Sequence, residues 1–125
     1  MATGLESLKV YLLAEELELE IFEITKKFPK DEYYRSVDQL RRSSSAVTNN
    51  IAEAYSRHYY KAKIRSYYIA KAEAQETKMN IIRCGKKRIL DFSLSIAIAN
   101  KYTLLLRLIS GYINFIKKEL SIYEK

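Results

Sequence analysis

Apolar side chains recur along this chain at steps of three and four, the spacing that places them on one face of an α-helix. Leu8, Tyr11, Ala14, Leu17, Ile21, Ile24 and Phe28 mark a first helix over about residues 8–28. Residues 16–21 also alternate with period two, as an edge strand does. The helical period continues on both sides, and Leu and Glu are good helix formers, so the strand is rejected. Lys26 and Lys27 fall where a helix dipole favours cations, and Pro29 ends the run. Ser36-Val37-Asp38-Gln39 has the Ser-x-x-Gln form of a capping box and opens a second helix over about 37–57. Its seam of Val37, Leu40, Ser44, Val47, Ile51 and Ala54 is lined partly by small residues, which lets a neighbour come close.

A third helix over about 60–83 places Ile64, Tyr68, Ala72, Gln75, Met79 and Ile82 on one face. By that spacing Tyr60 and Tyr68 are expected in the core and Tyr59 outside it. Gly85 reads as the stop signal. A fourth helix over about 94–119 has the cleanest seam: Ile98, Tyr102, Leu105, Ile109, Tyr112, Ile116 and Leu120. Leu94, Ala97, Leu104, Leu108 and Phe115 widen that face beyond a single stripe. The extra width means either the most buried of four helices or a face that meets another subunit, and the second is favoured. The pattern predicts one all-α domain over residues 1–125, an antiparallel up-down-up-down four-helix bundle.

Composition agrees. Three glycines and one proline in 125 residues are poor material for the many turns of a β-sandwich. The lone cysteine, Cys84, forms no intrachain disulfide and excludes Cys-rich zinc motifs. No secretory leader and no unbroken apolar run near the ~20 residues of a membrane span is visible, so a reduced, cytoplasmic protein without a membrane role is expected. The net charge of +7 is uneven: residues 1–33 carry four lysines against eight acids, and the remaining basic residues lie beyond them. An acidic helix facing basic ones, a polyanion-binding surface, or both would follow.

Catalytic chemistry finds little support. His58 is the only histidine, which excludes a multi-His metal site and limits any His-based triad. Cys84 has basic neighbours in Arg83 and Lys86 but no identifiable base, so an ordinary half-buried thiol is expected. Glu16, Glu20, Glu23 and Lys27 share one side of the first helix without a Glu-x-x-His motif, and no Gly-rich phosphate loop exists. No catalytic residue, metal ligand or cofactor is assigned. On the second helix Gln39, Arg42, Asn49 or Asn50, Glu53 and Arg57 form a polar stripe. It is read as a buried, charge-assisted structural network in preference to a ligand pocket.

The basic residues are the best functional lead. Arg57, Lys61 and Arg65 are spaced i, i+4, i+8, about 6 Å of rise apart, which is close to the phosphate spacing of a strand. Lys63 and the Arg83, Lys86, Lys87 and Arg88 cluster add charge, and Tyr59, Tyr60, Tyr67 and Tyr68 are interleaved, offering rings to unpaired bases. Against this stands the ordinary coating of exposed helices by Lys and Arg.

Leu8-x-Val10-Tyr11-x-x-Ala14, followed by Thr25-Lys26-Lys27-Phe28-Pro29, resembles the opening of a bacterial four-helix-bundle family encoded in intervening sequences of large-subunit ribosomal RNA genes. Gln39-Leu40-Arg41-Arg42, Asn50-Ile51-Ala52-Glu53 with Arg57, and Ile64, Tyr68-Ile69-Ala70 and Glu76 continue the likeness over roughly residues 8–85. Where the family commonly has proline and glycine, this chain has Thr48 and Ala54, which should straighten and extend the second helix. The resemblance implies an up-down-up-down bundle, often a ring-like homopentamer. It also implies kinship to the basic, nucleic-acid-associating accessory protein of diversity-generating retroelements, and no established enzymatic activity. The expectation is a non-enzymatic, oligomeric protein that binds RNA or DNA through phosphates. The alternative is an oligomeric protein–protein interaction scaffold.

Overall fold

The computed structural model of the chain describes Gly4 and residues 8–123. Helix α1 (Lys9–Thr25) buries Val10, Ala14, Leu17, Ile21 and Thr25, the face its periodicity predicts. It ends three residues before Phe28, because the backbone tightens: the amides of Lys26, Lys27 and Phe28 bond carbonyls three residues back. Pro29 then has no amide to give. Lys26 and Lys27 therefore lie just beyond the helix rather than in its last turn.

A single 3₁₀ turn, Lys30–Glu32, runs into a π-helical turn, Tyr33–Val37. Helix α2 (Asp38–Ser56) continues directly from it. The expected capping box is absent. Val37 has helical backbone angles, and Ser36 donates its hydroxyl to Glu32 Oε1 at 2.6 Å. Because the chain is already helical when it enters α2, no side chain is needed to cap it. The predicted small seam is present, with Leu40, Ser43, Ser44, Val47, Thr48, Ile51 and Ala54 buried.

Helix α3 (Tyr60–Lys86) departs from expectation on its face and at its end. Its core side holds Ser66, Tyr67, Ala70, Ala74, Thr77, Asn80, Ile81 and Cys84. Tyr68 and Met79 are 43% and 41% exposed, on the face the periodicity assigns to the core. The cause is its position between two neighbours, each taking one flank. Toward α2 the contact is small and polar: Thr77 donates to Ser43 Oγ at 2.7 Å, and Asn80 Nδ2 to Gln39 Oε1 at 3.4 Å. Small polar core residues leave no mark in an apolar pattern.

Gly85 is not a stop but a buried residue inside the helix. A β-carbon there would lie 2.1 Å from Ser95 Oγ, so glycine lets α3 and α4 touch. The helix is closed afterwards by a Schellman arrangement. Ile89 N–H bonds Cys84 O, Arg88 N–H bonds Gly85 O, and Arg88 takes φ 62°.

Helix α4 (Phe92–Tyr123) is longer than predicted at both ends. Its start is fixed by Asp91, whose Oδ2 accepts the Leu94 amide at 3.0 Å. Ile98, Tyr102, Leu105, Ile109, Ile113 and Ile116 are buried. By length and composition α4 is apolar enough to cross a bilayer, and a third of that stretch is buried in the bundle. Lys101 and Arg107 interrupt it, which is why no unbroken apolar run shows in the sequence.

Contacts fix the topology. Ser43 meets Thr77 and Gln39 meets Asn80, so α2 and α3 run antiparallel. Tyr67 stacks on Tyr112 at 5.9 Å while Gly85 abuts Ser95, which makes α3 and α4 antiparallel as well. The all-α, up-down-up-down four-helix bundle is confirmed, and no strand occurs among the described residues. The α1–α2 and α3–α4 connections share one end of the bundle, termed the upper pole. The α2–α3 connection lies at the lower pole.

Candidate nucleic-acid interface

Arg57 leaves α2 in an extended conformation, and Lys61 and Arg65 occupy the first turns of α3. All three line one cleft of about 530 Å³, together with Asn50, Glu53, Ser66 and Ile69. Arg57 is paired with Glu53, one turn back on α2, and both are about half exposed. The three cations share this surface, but only Lys61 and Arg65 are a helical step apart; Arg57 joins them through the extended α2–α3 connection.

Lys63 does not join them. Its ammonium donates to the carbonyls of Ala54 at 3.1 Å and Tyr55 at 3.0 Å. These belong to the last turn of α2, so Lys63 caps that helix, where the dipole favours a cation. Desolvation lowers its pKa. The i+2 offset from Lys61 turns it to the other flank of α3, away from the cleft.

Arg83, Lys86, Lys87 and Arg88 are exposed at the upper pole. At 1.5 Å per residue they lie about 37 Å along α3 from Lys61. The basic residues thus form two surfaces on one chain, not one. The sequence reading missed what joins the upper cluster. Lys27 and Phe28 of the α1–α2 connection line a pocket with Ile89 and Asp91 of the α3–α4 connection, which brings Lys30 and Arg35 to the same end. Alternating helix directions already imply this, since odd connections of an up-down bundle share a pole.

The polar stripe on α2 is not a continuous buried network. Arg42 reaches across to α3, bonding both Glu73 oxygens at 3.4 Å and pairing with Glu76. Gln39 accepts from Asn80, Asn50 donates to Ala46 O at 2.8 Å, and Glu53 holds Arg57. Each residue finds a different partner because about 18 residues of helix carry the stripe past successive positions of α3. The Arg42 guanidinium is 54% exposed, so these are surface pairs of about 0–1 kcal/mol each.

Cys84 is buried against Asn80, and burial pushes its thiol up more than Ser36, Lys87 and Arg83 pull it down. That holds it in the unreactive form at neutral pH. His58 is exposed beside Tyr59. Among the described residues no three His, Cys, Asp or Glu side chains are grouped to hold a metal.

A family model described as 23S rRNA-intervening sequence protein matches residues 6–111. The chain is also similar to the crystal structure of a protein with unknown function from the S23 ribosomal protein family of Bacteroides thetaiotaomicron VPI-5482. The two are 22% identical with a TM-score of 0.78, over 84% of this chain and 95% of that one. This likeness establishes a shared fold. No curated protein matches the sequence.

Proposed function

The chain belongs to the 23S rRNA-intervening sequence protein family, and we propose that it is a non-enzymatic, oligomeric protein that associates with RNA or DNA through phosphate contacts. The observation that carries this reading is the convergence of Arg57, Lys61 and Arg65 on one cleft. Lys61 and Arg65 stand on the first turns of α3 and Arg57 on the extended residue that leaves α2, so together they neutralise neighbouring phosphates without reading bases. Such binding falls steeply with salt, by close to one power of concentration for each phosphate contacted.

Assembly rests on the outer side of α4. Leu94, Leu104, Phe115 and Ile122 are 39–61% exposed in the single chain. With Ala97, Leu108 and Gly111 they fall on positions stepped by three and four, a row in which Lys101 and Lys118 take the two remaining places. That is the spacing of a helix seam awaiting a partner helix. Gly111 sits among them with nothing within 4 Å of where a β-carbon would be. A mid-helix glycine costs about 1 kcal/mol relative to alanine, and nothing in its own chain requires it. A second copy seated close to α4 gives it a purpose, and a ring-like homopentamer is the assembly the family resemblance implies.

The test is fluorescence anisotropy with a labelled RNA at two salt concentrations. The R57E/K61E/R65E variant is expected to bind at least tenfold more weakly and to lose roughly two to three units of salt slope. Wild-type protein that does not bind at low salt, or a variant that binds equally well, contradicts the reading. An oligomeric scaffold for other proteins is the second reading. Its support is the acidic outer side of α1, where Glu16 and Glu23 are exposed and Glu20 meets Lys101 of α4 at 3.4 Å. An assembly that dissociates as salt rises while never binding nucleic acid would favour it.

A further inference from the structure

The upper pole pairs its cations with aromatic rings that the core does not use. The π-helical turn buries Ser36 and Val37 and turns Tyr33 and Tyr34 outward, 57% and 87% exposed. Their rings meet edge to face, 4.9 Å apart at 79°, so each limits the freedom of the other. Lys30 and Arg35 flank them on the same short segment, and Arg83, Lys86 and Lys87 come from the end of α3. Among the described residues none of these five cations is ion-paired.

Several acids at this pole are already engaged. Glu23 holds Lys26, Glu32 accepts the Ser36 hydroxyl, and Asp91 caps α4. Asp31 and Asp38 stay on the surface, so the balance there is positive. Rings and cations together discriminate between forms of nucleic acid. A duplex offers phosphates but hides the faces of its bases, whereas an unpaired strand offers both. At the lower cleft the cations lie beside Tyr59, which is 80% exposed.

We infer that the upper pole is a separate surface for single-stranded nucleic acid, with Tyr33 and Tyr34 stacking on unpaired bases and Lys30, Arg35, Lys86 and Lys87 holding the adjoining phosphates. The inference rests on the reading that this protein binds nucleic acid, and adds the form of strand and the residues that select it. The chain then carries two polyanion surfaces at opposite ends of α3, the upper one selective for unpaired bases.

The experiment titrates full-length protein into a labelled twelve-nucleotide oligouridylate and into an RNA duplex of the same length. Wild type, Y33A/Y34A, Y33F/Y34F and R57E/K61E/R65E are compared, each checked for native helix content. The alanine pair is expected to weaken single-strand binding roughly tenfold or more while leaving the duplex within twofold, since stacking contributes strongly per base. The phenylalanine pair keeps the rings and should keep the affinity. The inference is overturned if the alanine pair binds the single strand as wild type does or loses both ligands equally. It is also overturned if polyglutamate displaces the oligonucleotide as well as unlabelled oligonucleotide does. If wild type binds neither RNA, the functional reading itself falls. If wild type binds and only the charge-reversed cleft variant is weakened, that reading stands and the upper-pole surface is refuted.

Discussion

Lys63 shows how one side chain changes meaning once its neighbours are known. In the sequence it is one more cation beside Lys61 and Arg65; in the fold it closes the last turn of α2. Nothing in the spacing of α3 reveals this, because the carbonyls it serves belong to another helix. Arg88 is a similar case, standing at φ 62° where glycine is the usual choice. Burial acts on single residues too. It holds Cys84 above its ordinary thiol range, pushes Tyr67 up to about 12 with help from Tyr112, and raises Tyr102 further. All three keep their protons in the folded state at pH values where the unfolded chain loses them. Stability should therefore be unaffected at neutral pH and fall as pH rises from about 9, the ordinary thiol value, through about 12. Urea denaturation at pH 7, 9, 10 and 11 measures it. A midpoint unchanged between pH 9 and 11 would show that these groups are not protected by burial.

At the scale of the helix, the contact of α3 with α4 is set by Gly85. A methyl group there meets Ser95 Oγ at 2.1 Å and Ser95 Cβ at 2.7 Å, both too close to be absorbed without moving a helix. Gly85→Ala should destabilise by about 1–3 kcal/mol, despite alanine's better helix propensity, and Ser95→Gly on the same background should recover part of the loss. Chemical denaturation of the three proteins decides it; a stabilised single variant would refute the close approach. The seams of α1, α2 and α4 were legible because bulky apolar residues face the core there. On α3 Tyr68 and Met79 point outward while Ser66, Thr77 and Asn80 point inward, so the apolar period marks the wrong side. The end of α3 was misread for a related reason, since a glycine needed for packing and a glycine that ends a helix look the same in a sequence. The candidate site was half legible. The four-residue step holds for Lys61 and Arg65, whereas Arg57 reaches them through the turn between α2 and α3, and the company kept by Arg83–Arg88 depended on which connections share a pole.

The whole molecule is a bundle with cations at both ends and exposed apolar side chains along α4, with others on α1 at Leu12, Leu19 and Phe22. The proposed association of copies would hide the outer side of α4 and gather the poles into a larger positive field. Light-scattering mass, measured with and without RNA at low salt, tests this most directly, with L104E/F115E as the comparison. The expected result is a wild-type particle that is a multiple of the 14.6 kDa chain and grows heavier with RNA, and a variant of native helix content that runs as a single chain. A wild-type mass of 14.6 kDa that RNA leaves unchanged would contradict both the assembly and the binding.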